Sequence, residues 1–278
     1  MVDAQLSGRA FIDAMPQAVW RQRELLAGLL DAVRAEPTVR FLELGCSLAR
    51  GAGDERSDID CAVGVADEHW PDALRHGRWL AARLGAAADQ LAQQLPGRGD
   101  EPSWHLFTLY QDGSQLSMVL LPASWRAGLR PHAVALYDPD GRLARPWRPS
   151  SFGVEPETVR EWAALGWIAL GDLAKYLDRG SVWEAHQRLE EARTQVWRLI
   201  AIAREVPYPV RGLTSILDQP APVLPDGIEA TVAGLEPEAL RAAAVATAGL
   251  LAEATAAAGR VMPFEPPDGL RAWVLTRL

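Results

Sequence analysis

The apolar residues in the first half of the chain fall into short runs typical of strands and longer periodic segments typical of helices. Val39–Leu44 and Ile59–Val65 are compact apolar runs with small and polar residues on either side, which predicts two buried strands. Asp112 and Gly113 stand between two further apolar runs, a strong β-hairpin signal. The predicted elements are helices at residues 11–35, broken early by Pro16, and 68–95, and strands at 39–44, 59–65, 104–110, 115–121 and 133–137.

The second half of the chain shows helical periodicity. A loop rich in Pro, Gly, Arg and Ser covers residues 138–156 and is typical of an exposed linker, so we place a domain boundary near Ser150. The pattern predicts an α+β chain, with a mixed sheet flanked by helices in residues 1–150 and an all-α helical bundle in residues 151–278. The helices predicted in this second half are residues 155–178, 181–205, 236–258 and 269–277.

Composition and charge narrow the classes of partner. The 278 residues carry a formal net charge of −8, which argues against a nucleic-acid-binding surface and favours a small or cationic partner. Cys46 and Cys61 are the two cysteines, and without a histidine cluster we expect reduced thiols and no zinc site. Residues 1–16 lack the pattern of a signal peptide, and the apolar run at 242–251 is too short to span a bilayer. We therefore expect a cytoplasmic protein that binds no membrane.

The candidate chemistry lies between the first two predicted strands. Asp58 and Asp60 are two positions apart, so on a strand both carboxylates face the same side and can reach one Mg²⁺ ion. The preceding turn carries a hydroxyl at Ser47, a cation at Arg50 and backbone N–H groups, which together suit the oxygens of a triphosphate. These groups indicate transfer of a nucleotidyl group. An Asp-x-Asp doublet alone is also common in Asx turns and helix caps.

This stretch resembles the GSxxxG…DxD signature of the polymerase-beta-like nucleotidyltransferase superfamily, and is most similar to its minimal and antibiotic-modifying members. The matching residues are Ser47-Leu48-Ala49-Arg50-Gly51, followed by Ser57-Asp58-Ile59-Asp60. The resemblance implies Mg²⁺ on Asp58 and Asp60 as the catalytic metal, ATP or another nucleoside triphosphate as co-substrate, and a third acid on a later strand. The nucleotide-binding residues that it implies are Cys46, Ser47, Arg50, Gly51 and Ser57.

Two positions depart from the family pattern. Cys46 stands where the family has a glycine directly before the serine. Ser117 stands where the resemblance places the third carboxylate, and a serine hydroxyl has neither the charge to hold a second metal nor the basicity to take a proton. Four alternatives stay open: Asp112 reaches in from the hairpin tip, Glu184 or Glu190 serves as the base, the acceptor needs no strong base, or the protein binds nucleotide without turnover.

The predicted helix at residues 181–205 carries a second stripe beside its apolar face. Trp183, Glu190 and Trp197 recur at heptad spacing along this stripe. Two tryptophans with a carboxylate midway between them can cradle a cationic ring or an amino sugar, so we interpret them as acceptor-binding residues, with Glu190 also a candidate catalytic residue. The alternative is that the tryptophans pack against a neighbouring helix and Glu190 pairs with Arg193.

The sequence therefore predicts a Mg²⁺-dependent enzyme that moves a nucleoside monophosphate, expected to be AMP from ATP, onto a hydroxyl of a small molecule. The resemblance implies an antibiotic such as an aminoglycoside or a lincosamide as the acceptor, and hence a role in antibiotic resistance. Two alternatives remain. One is a catalytically weakened nucleotide-binding or regulatory relative, for which Ser117 is the main argument. The other is a toxin–antitoxin-type nucleotidyltransferase, which the acidic composition disfavours.

Overall fold

The structure, a computed structural model, describes residues 8–98, 101–147, 154–219 and 221–278. For residues 96–98 and 101 it describes the backbone alone. The chain divides into two compact units, Met1–Phe152 and Gly153–Leu278. The boundary predicted near Ser150 falls within residues 148–153, which lie outside the described residues.

A mixed six-stranded sheet forms the centre of the described part of the first unit, which confirms the predicted fold class. Its strands are β1 Val39–Leu44, β2 Ile59–Val65, β3 Ala87–Arg98, β4 Glu101–Tyr110, β5 Gln115–Pro122 and β6 Val134–Tyr137. They lie in the order β3-β4-β5-β2-β1-β6, with β2 and β5 parallel and the other neighbouring pairs antiparallel. The start of β2 therefore lies in the middle of the sheet.

Helices cover one face of this sheet. They are α1 Gly8–Asp13, α2 Trp20–Ala35, α3 Cys46–Ala49 and α4 Ala73–Ala82. Leu26 of α2 and Leu80 of α4 are fully buried in one cluster with Val63 of β2 and Leu120 of β5. Because side chains alternate along a strand, Asp60 lies on the opposite face, which we call the second face.

The predicted helix at residues 68–95 is wrong beyond Ala82, where α4 ends. Gly85 has a φ of +158° and interrupts the helical path, and residues 87–98 form β3 instead. As an edge strand, β3 pairs with β4 alone, so its side chains are largely exposed and Leu91 keeps 53% of its surface accessible. A strand exposed on both faces has no alternating pattern, and its scattered leucines matched a helical period by chance.

The second unit is helical, as the sequence predicts. Its helices are α5 Pro156–Asp178, α6 Val182–Ala203, α7 Leu213–Leu217, α8 Pro237–Val261 and α9 Asp268–Leu275. Trp167 of α5, Leu189 of α6 and Leu251 of α8 lie in one core cluster. Gly166 allows close packing of α5 against α8, because a Cβ there would lie 2.8 Å from Leu251 Cδ1.

Among the described residues, α8 is the helix long and apolar enough to match a membrane-spanning segment. Its inward face is buried against the rest of the helical unit, with Leu240, Ala244 and Ala258 fully buried. These contacts are those of a core helix in a packed bundle.

Candidate functional site

Two aspartates stand at the start of the central strand β2. Asp60 is its second residue and Asp58 immediately precedes it, and both side chains are half-buried. Burial raises the pKa of Asp58, the charge of Asp60 raises it further, and a backbone hydrogen bond opposes them. The two carboxylates are thus partly desolvated and close enough to repel each other. A bound cation would reduce this repulsion.

The turn from β1 to α3 is tied directly to this strand. The Gly45 N–H donates a hydrogen bond of 2.8 Å to the Asp60 carbonyl oxygen. Cys46 follows with a φ of 54°, and Gly51 closes the turn with a φ of +70°. A left-handed backbone is strained for any residue with a Cβ, so the position of Cys46 is one that favours glycine. This supports the alignment of Cys46 with the family's glycine.

We expect Cys46→Gly to be more stable than Cys46→Ala by about 1 kcal/mol, because only alanine keeps the strained Cβ. Both variants remove the thiol, so their difference isolates the backbone effect. Urea unfolding of the two proteins measures it. An alanine variant equal to or more stable than the glycine variant would show that this turn is not strained.

A short loop carries Ser57 and Asp58 toward the turn and leads into β2. Ser47 Oγ donates to Ser57 Oγ at 3.3 Å, which brings together two of the residues expected to bind nucleotide. Within the loop, the Asp54 N–H donates to Ser57 Oγ at 2.9 Å, and the Arg56 N–H donates to Asp54 Oδ1 at 2.9 Å. Arg50, at the end of α3, is half-buried. The structure therefore gathers Ser47, Ser57 and the aspartates at one end of β2.

Gln22 of α2 holds this loop in place, a role that the sequence did not reveal. Its side chain is 6% exposed, and Nε2 donates to the carbonyl oxygens of Asp54, Glu55 and Ser57 at 3.3, 3.3 and 2.8 Å. Three backbone acceptors depend on one buried amide. Gln22 is therefore a positioning residue for the segment that leads into Asp58.

Replacing Gln22 by Ala should lower the free energy of unfolding by about 1–3 kcal/mol, because the partly buried carbonyls lose their donor. Loosening the loop should also weaken Mg-ATP binding about tenfold, since Ser57 and Asp58 are no longer held. Urea unfolding and calorimetric titration measure the two effects. Gln187→Ala removes an exposed glutamine that bonds Glu191 on α6, and it should change stability by less than about 0.5 kcal/mol.

Ser117 lies beside Asp60 on the neighbouring parallel strand, as the register of β2 and β5 pairs these two residues. Within the described residues, no group of three His, Cys, Asp or Glu side chains is placed to share a metal. Asp112 is engaged at the hairpin tip, where Ser114 donates its N–H and its hydroxyl to the carboxylate at 3.0 and 3.1 Å. Both hydrogen bonds lower the pKa of Asp112, and the bond from the Ser114 N–H has the larger effect.

His105 of β4 completes a row of polar side chains on the second face. Its Nε2 lies 2.9 Å from Ser117 Oγ. The register of β4 and β5 pairs Phe107 with Ser117, so His105 is the diagonal neighbour of Ser117 on the same face. The sequence alone assigns His105 no role, because a lone histidine has no ligand spacing and its contact with Ser117 exists only through strand pairing.

A buried ion cluster borders the same face. Glu43 of β1 is 0% exposed and lies opposite Ala62, two residues along β2 from Asp60. Arg130 Nε donates to Glu43 Oε1, and Arg126 Nε lies 3.5 Å from Glu43 Oε2. A Cβ built on Gly45 would lie 2.9 Å from Arg130 Nη2, so this cluster also packs against the turn.

Both cysteines are free, as expected. Cys61 of β2 is buried, and burial followed by the charge of Asp60 raises the pKa of its thiol. Cys61 points to the helix-covered face and Asp60 to the second face, which is the alternation expected of a strand. The thiol is therefore a core group.

The residues expected to bind an acceptor lie on α6 in different surroundings. Trp183 is 73% exposed, whereas Trp197 is 9% exposed and belongs to the helical core. Glu190 is exposed and forms an ion pair with Arg193. A cavity of about 310 Å³ opens elsewhere in this unit, lined by α8 and α9 residues that include Val245, Arg271 and Leu275, with Trp167 of α5. The predicted stripe and this cavity are separate features.

Comparison with known proteins gives a distant likeness. No protein-family model matches the sequence, and no curated protein matches it. The chain is similar to the structure of an aminoglycoside 6-adenyltransferase from Bacillus subtilis, at 15% identity and a TM-score of 0.38 over 97% of this chain and 98% of that one. It is also similar to a nucleotidyltransferase-like protein from Exiguobacterium sibiricum, at 12% identity and a TM-score of 0.38 over 84% and 78% of the two chains.

Both structures are of proteins of the kind that the sequence signature resembles. The likeness is distant. At these identities and TM-scores it carries no conclusion about activity. A function for this chain therefore depends on its own residues.

Proposed function

We propose that this protein is a nucleotidyltransferase that moves a nucleoside monophosphate, AMP from ATP in our preferred form, onto a hydroxyl of a small molecule. The observation that carries the proposal is the half-buried pair of Asp58 and Asp60 at the start of β2, bonded through the Asp60 carbonyl to the Gly45 turn. This arrangement joins a place for a cation to a turn suited to phosphate oxygens.

The donor set fits Mg²⁺. Asp58 and Asp60 offer hard oxygen ligands, which Mg²⁺ prefers, and their mutual repulsion favours a divalent cation between them. When bound there, the metal would neutralise charge on the triphosphate and polarise the phosphorus that is attacked. Ser57, held by Gln22, would fix the approach of Asp58 to that ion.

The turn residues would bind the triphosphate. The Ser47 hydroxyl, already bonded to Ser57, would contact phosphate oxygens, and Arg50 would supply a positive charge. Cys46 and Gly51 both have a positive φ. They would bend the backbone so that its N–H groups surround the phosphates. Such contacts orient the α-phosphate for attack by an acceptor hydroxyl.

The acceptor is proposed to be a small cationic molecule, such as an aminoglycoside or a lincosamide antibiotic. The net charge of −8 favours a cationic partner over nucleic acid. On α6, the exposed Trp183 and Glu190 would offer an aromatic face and a carboxylate to such a molecule. Trp197 would take part only if the helical core opened, because it is 9% exposed.

A second candidate is a nucleotide-binding protein with weak or no turnover. Ser117 favours it, since the residue beside Asp60 on the parallel strand is a neutral hydroxyl and not a carboxylate. Under this alternative Mg-ATP binding persists and transfer does not.

Two measurements test these candidates in order. Calorimetric titration with Mg-ATP should show binding to the wild-type protein and none to the double variant Asp58→Ala/Asp60→Ala. Asp72→Ala removes an exposed aspartate at the start of α4 and should bind as wild type does. A pyrophosphate-release screen across aminoglycosides and lincosamides then follows. Pyrophosphate release with one of the acceptors supports the transferase. If Mg-ATP binds but no acceptor gives release, the second candidate is supported. Absence of Mg-ATP binding contradicts both.

A further inference from the structure

The second face of the sheet carries a hydrogen-bonded serine and histidine next to the aspartates. Ser117 Oγ and His105 Nε2 are 2.9 Å apart, and both side chains are half-buried. A hydroxyl and an imidazole at this separation form the geometry in which histidine can take the proton of the hydroxyl. The contact requires β4 and β5 to be in the observed register.

The pair is placed in line with the proposed metal site. Ser117 is the register partner of Asp60, and neighbouring strands lie about 4.8 Å apart, so their side chains are adjacent on one face. His105 lies one strand farther on. Asp60, Ser117 and His105 therefore form a row across β2, β5 and β4, with Ser117 in the middle.

The neighbours of His105 suit a proton acceptor. On β3 its register partner is Gln93, which is neutral, and on β5 it is Val119. The charged group of the row is the carboxylate of Asp60, beyond Ser117.

We propose that Ser117 and His105 form a proton relay that stands in for the carboxylate that the family resemblance places at position 117, and that removes the proton of the acceptor hydroxyl. The inference rests on the proposed transferase function and names the base of that reaction. Ser117 alone has no basicity for this task, whereas the free nitrogen of a neutral imidazole is a common general base. Ser117 then touches the acceptor, and His105 acts through Ser117.

The proposed reaction exchanges one bond at the α-phosphorus for another and moves one proton along the relay. The acceptor oxygen forms a bond to the α-phosphorus, and the bond from that phosphorus to the bridging oxygen of pyrophosphate breaks, with the electron pair leaving on pyrophosphate. The acceptor proton passes to Ser117 Oγ while the Ser117 proton passes to His105 Nε2. The resulting imidazolium returns its proton to water after the products leave. Nε2 must accept in the resting state, so the relay requires the tautomer with a proton on Nδ1.

The test uses His105→Gln and the double variant Ser117→Asp/His105→Gln in the 278-residue protein. Pyrophosphate release from Mg-ATP is measured with the best acceptor from the antibiotic panel. We expect His105→Gln to lower kcat about 100-fold to 1,000-fold with KM for Mg-ATP within about twofold, because only the proton transfer is lost. In the double variant the new carboxylate takes the proton directly, so its kcat should be at least about tenfold higher than that of His105→Gln. His69→Gln, which changes an exposed histidine within the 3₁₀ helix Asp67–Asp72, should leave kcat unchanged.

A second readout does not depend on turnover. The ¹⁵N NMR spectrum of the wild-type histidines should show His105 in the Nδ1–H tautomer, and Ser117→Ala should shift its Nε2 resonance by removing the hydrogen bond. An Nε2–H tautomer for His105 in the wild type would overturn the relay.

Several outcomes overturn the relay without touching the proposed function. These are a His105→Gln variant with wild-type kcat, a rise in KM with kcat unchanged, or a failure of the carboxylate at position 117 to rescue. AMP found by mass spectrometry on Ser117 would make that residue a nucleophile and also overturn it. Wild-type protein that binds Mg-ATP but releases no pyrophosphate overturns the relay and supports the second candidate function. Wild-type protein that binds no Mg-ATP overturns the proposed function itself.

Discussion

Replacing Asp60 by Asn should lower pyrophosphate release about a thousandfold while the fold stays intact. A thousandfold corresponds to about 4 kcal/mol of transition-state stabilisation, which is the scale of a carboxylate–metal contact at a developing charge. Steady-state kinetics with Mg-ATP and the best acceptor measures the rate, and circular dichroism reports the fold. Asp72→Asn changes an exposed aspartate directly before α4; it is the matched control and should keep the wild-type rate. A rate within tenfold of wild type for Asp60→Asn would remove the metal site from the proposal.

The same substitution should slightly stabilise the protein at neutral pH. The pKa of Asp58 is raised by burial and then by the charge of Asp60, so the folded state at neutral pH holds two repelling carboxylates. An acid whose folded pKa is raised destabilises the fold above that pKa, and neutralising Asp60 removes part of this cost. The urea midpoint of Asp60→Asn should therefore exceed that of wild type at pH 7, and the difference should disappear at acid pH, where Asp58 is protonated in both proteins. An equal or lower midpoint at pH 7 would contradict this repulsion.

Replacing Glu43 by Gln should lower the free energy of unfolding by about 3 kcal/mol, the largest stability effect we expect. Glu43 is 0% exposed and is the shared anion of Arg126 and Arg130, whose side chains are 15% and 21% exposed. Removing its charge takes away the anion that Arg126 and Arg130 share, at a place where both guanidinium groups are largely buried. Urea unfolding measures the change.

An exposed ion pair provides the control for this experiment. Glu68 lies 3.7 Å from Arg40, with side chains 65% and 39% exposed, and Glu68→Gln should cost no more than about 0.5 kcal/mol. Replacing Glu43, Arg126 and Arg130 together by apolar residues should recover much of the loss, because no buried charge is then left unpaired. A Glu43→Gln variant as stable as Glu68→Gln would show that water reaches the cluster freely.

Residues 39–65 show that patterns among neighbouring residues can predict strands correctly. The strands β1 and β2 have the predicted bounds, Val39–Leu44 and Ile59–Val65. Short apolar runs with turn residues on either side are typical of buried strands. Ser117, which the resemblance places at the position of the third carboxylate, is the register partner of Asp60. By contrast, β3 was predicted as helix because an exposed edge strand carries no alternation for the sequence to display.

His105 illustrates what strand register decides. A two-residue turn at Asp112 and Gly113 would pair His105 with Leu120 and turn it toward the helices. The hairpin instead has one more loop residue, with Gly113 at a φ of +85°, and this pairs Phe107 with Ser117. A shift of one residue moves every side chain of a strand to the other face, so the contact of His105 with Ser117 depends on that loop.

By itself the sequence determined the α+β class, the helical second half, the paired aspartates and the turn at residues 45–51, because each is encoded in neighbouring residues. Only the tertiary structure decided which distant side chains meet. It placed Gln22 under the Ser57 loop, Glu43 between two arginines and His105 against Ser117, all through contacts between residues far apart in the chain. Hydrophobic periodicity is a local signal, whereas strand register and the burial of polar groups depend on how separate elements pack.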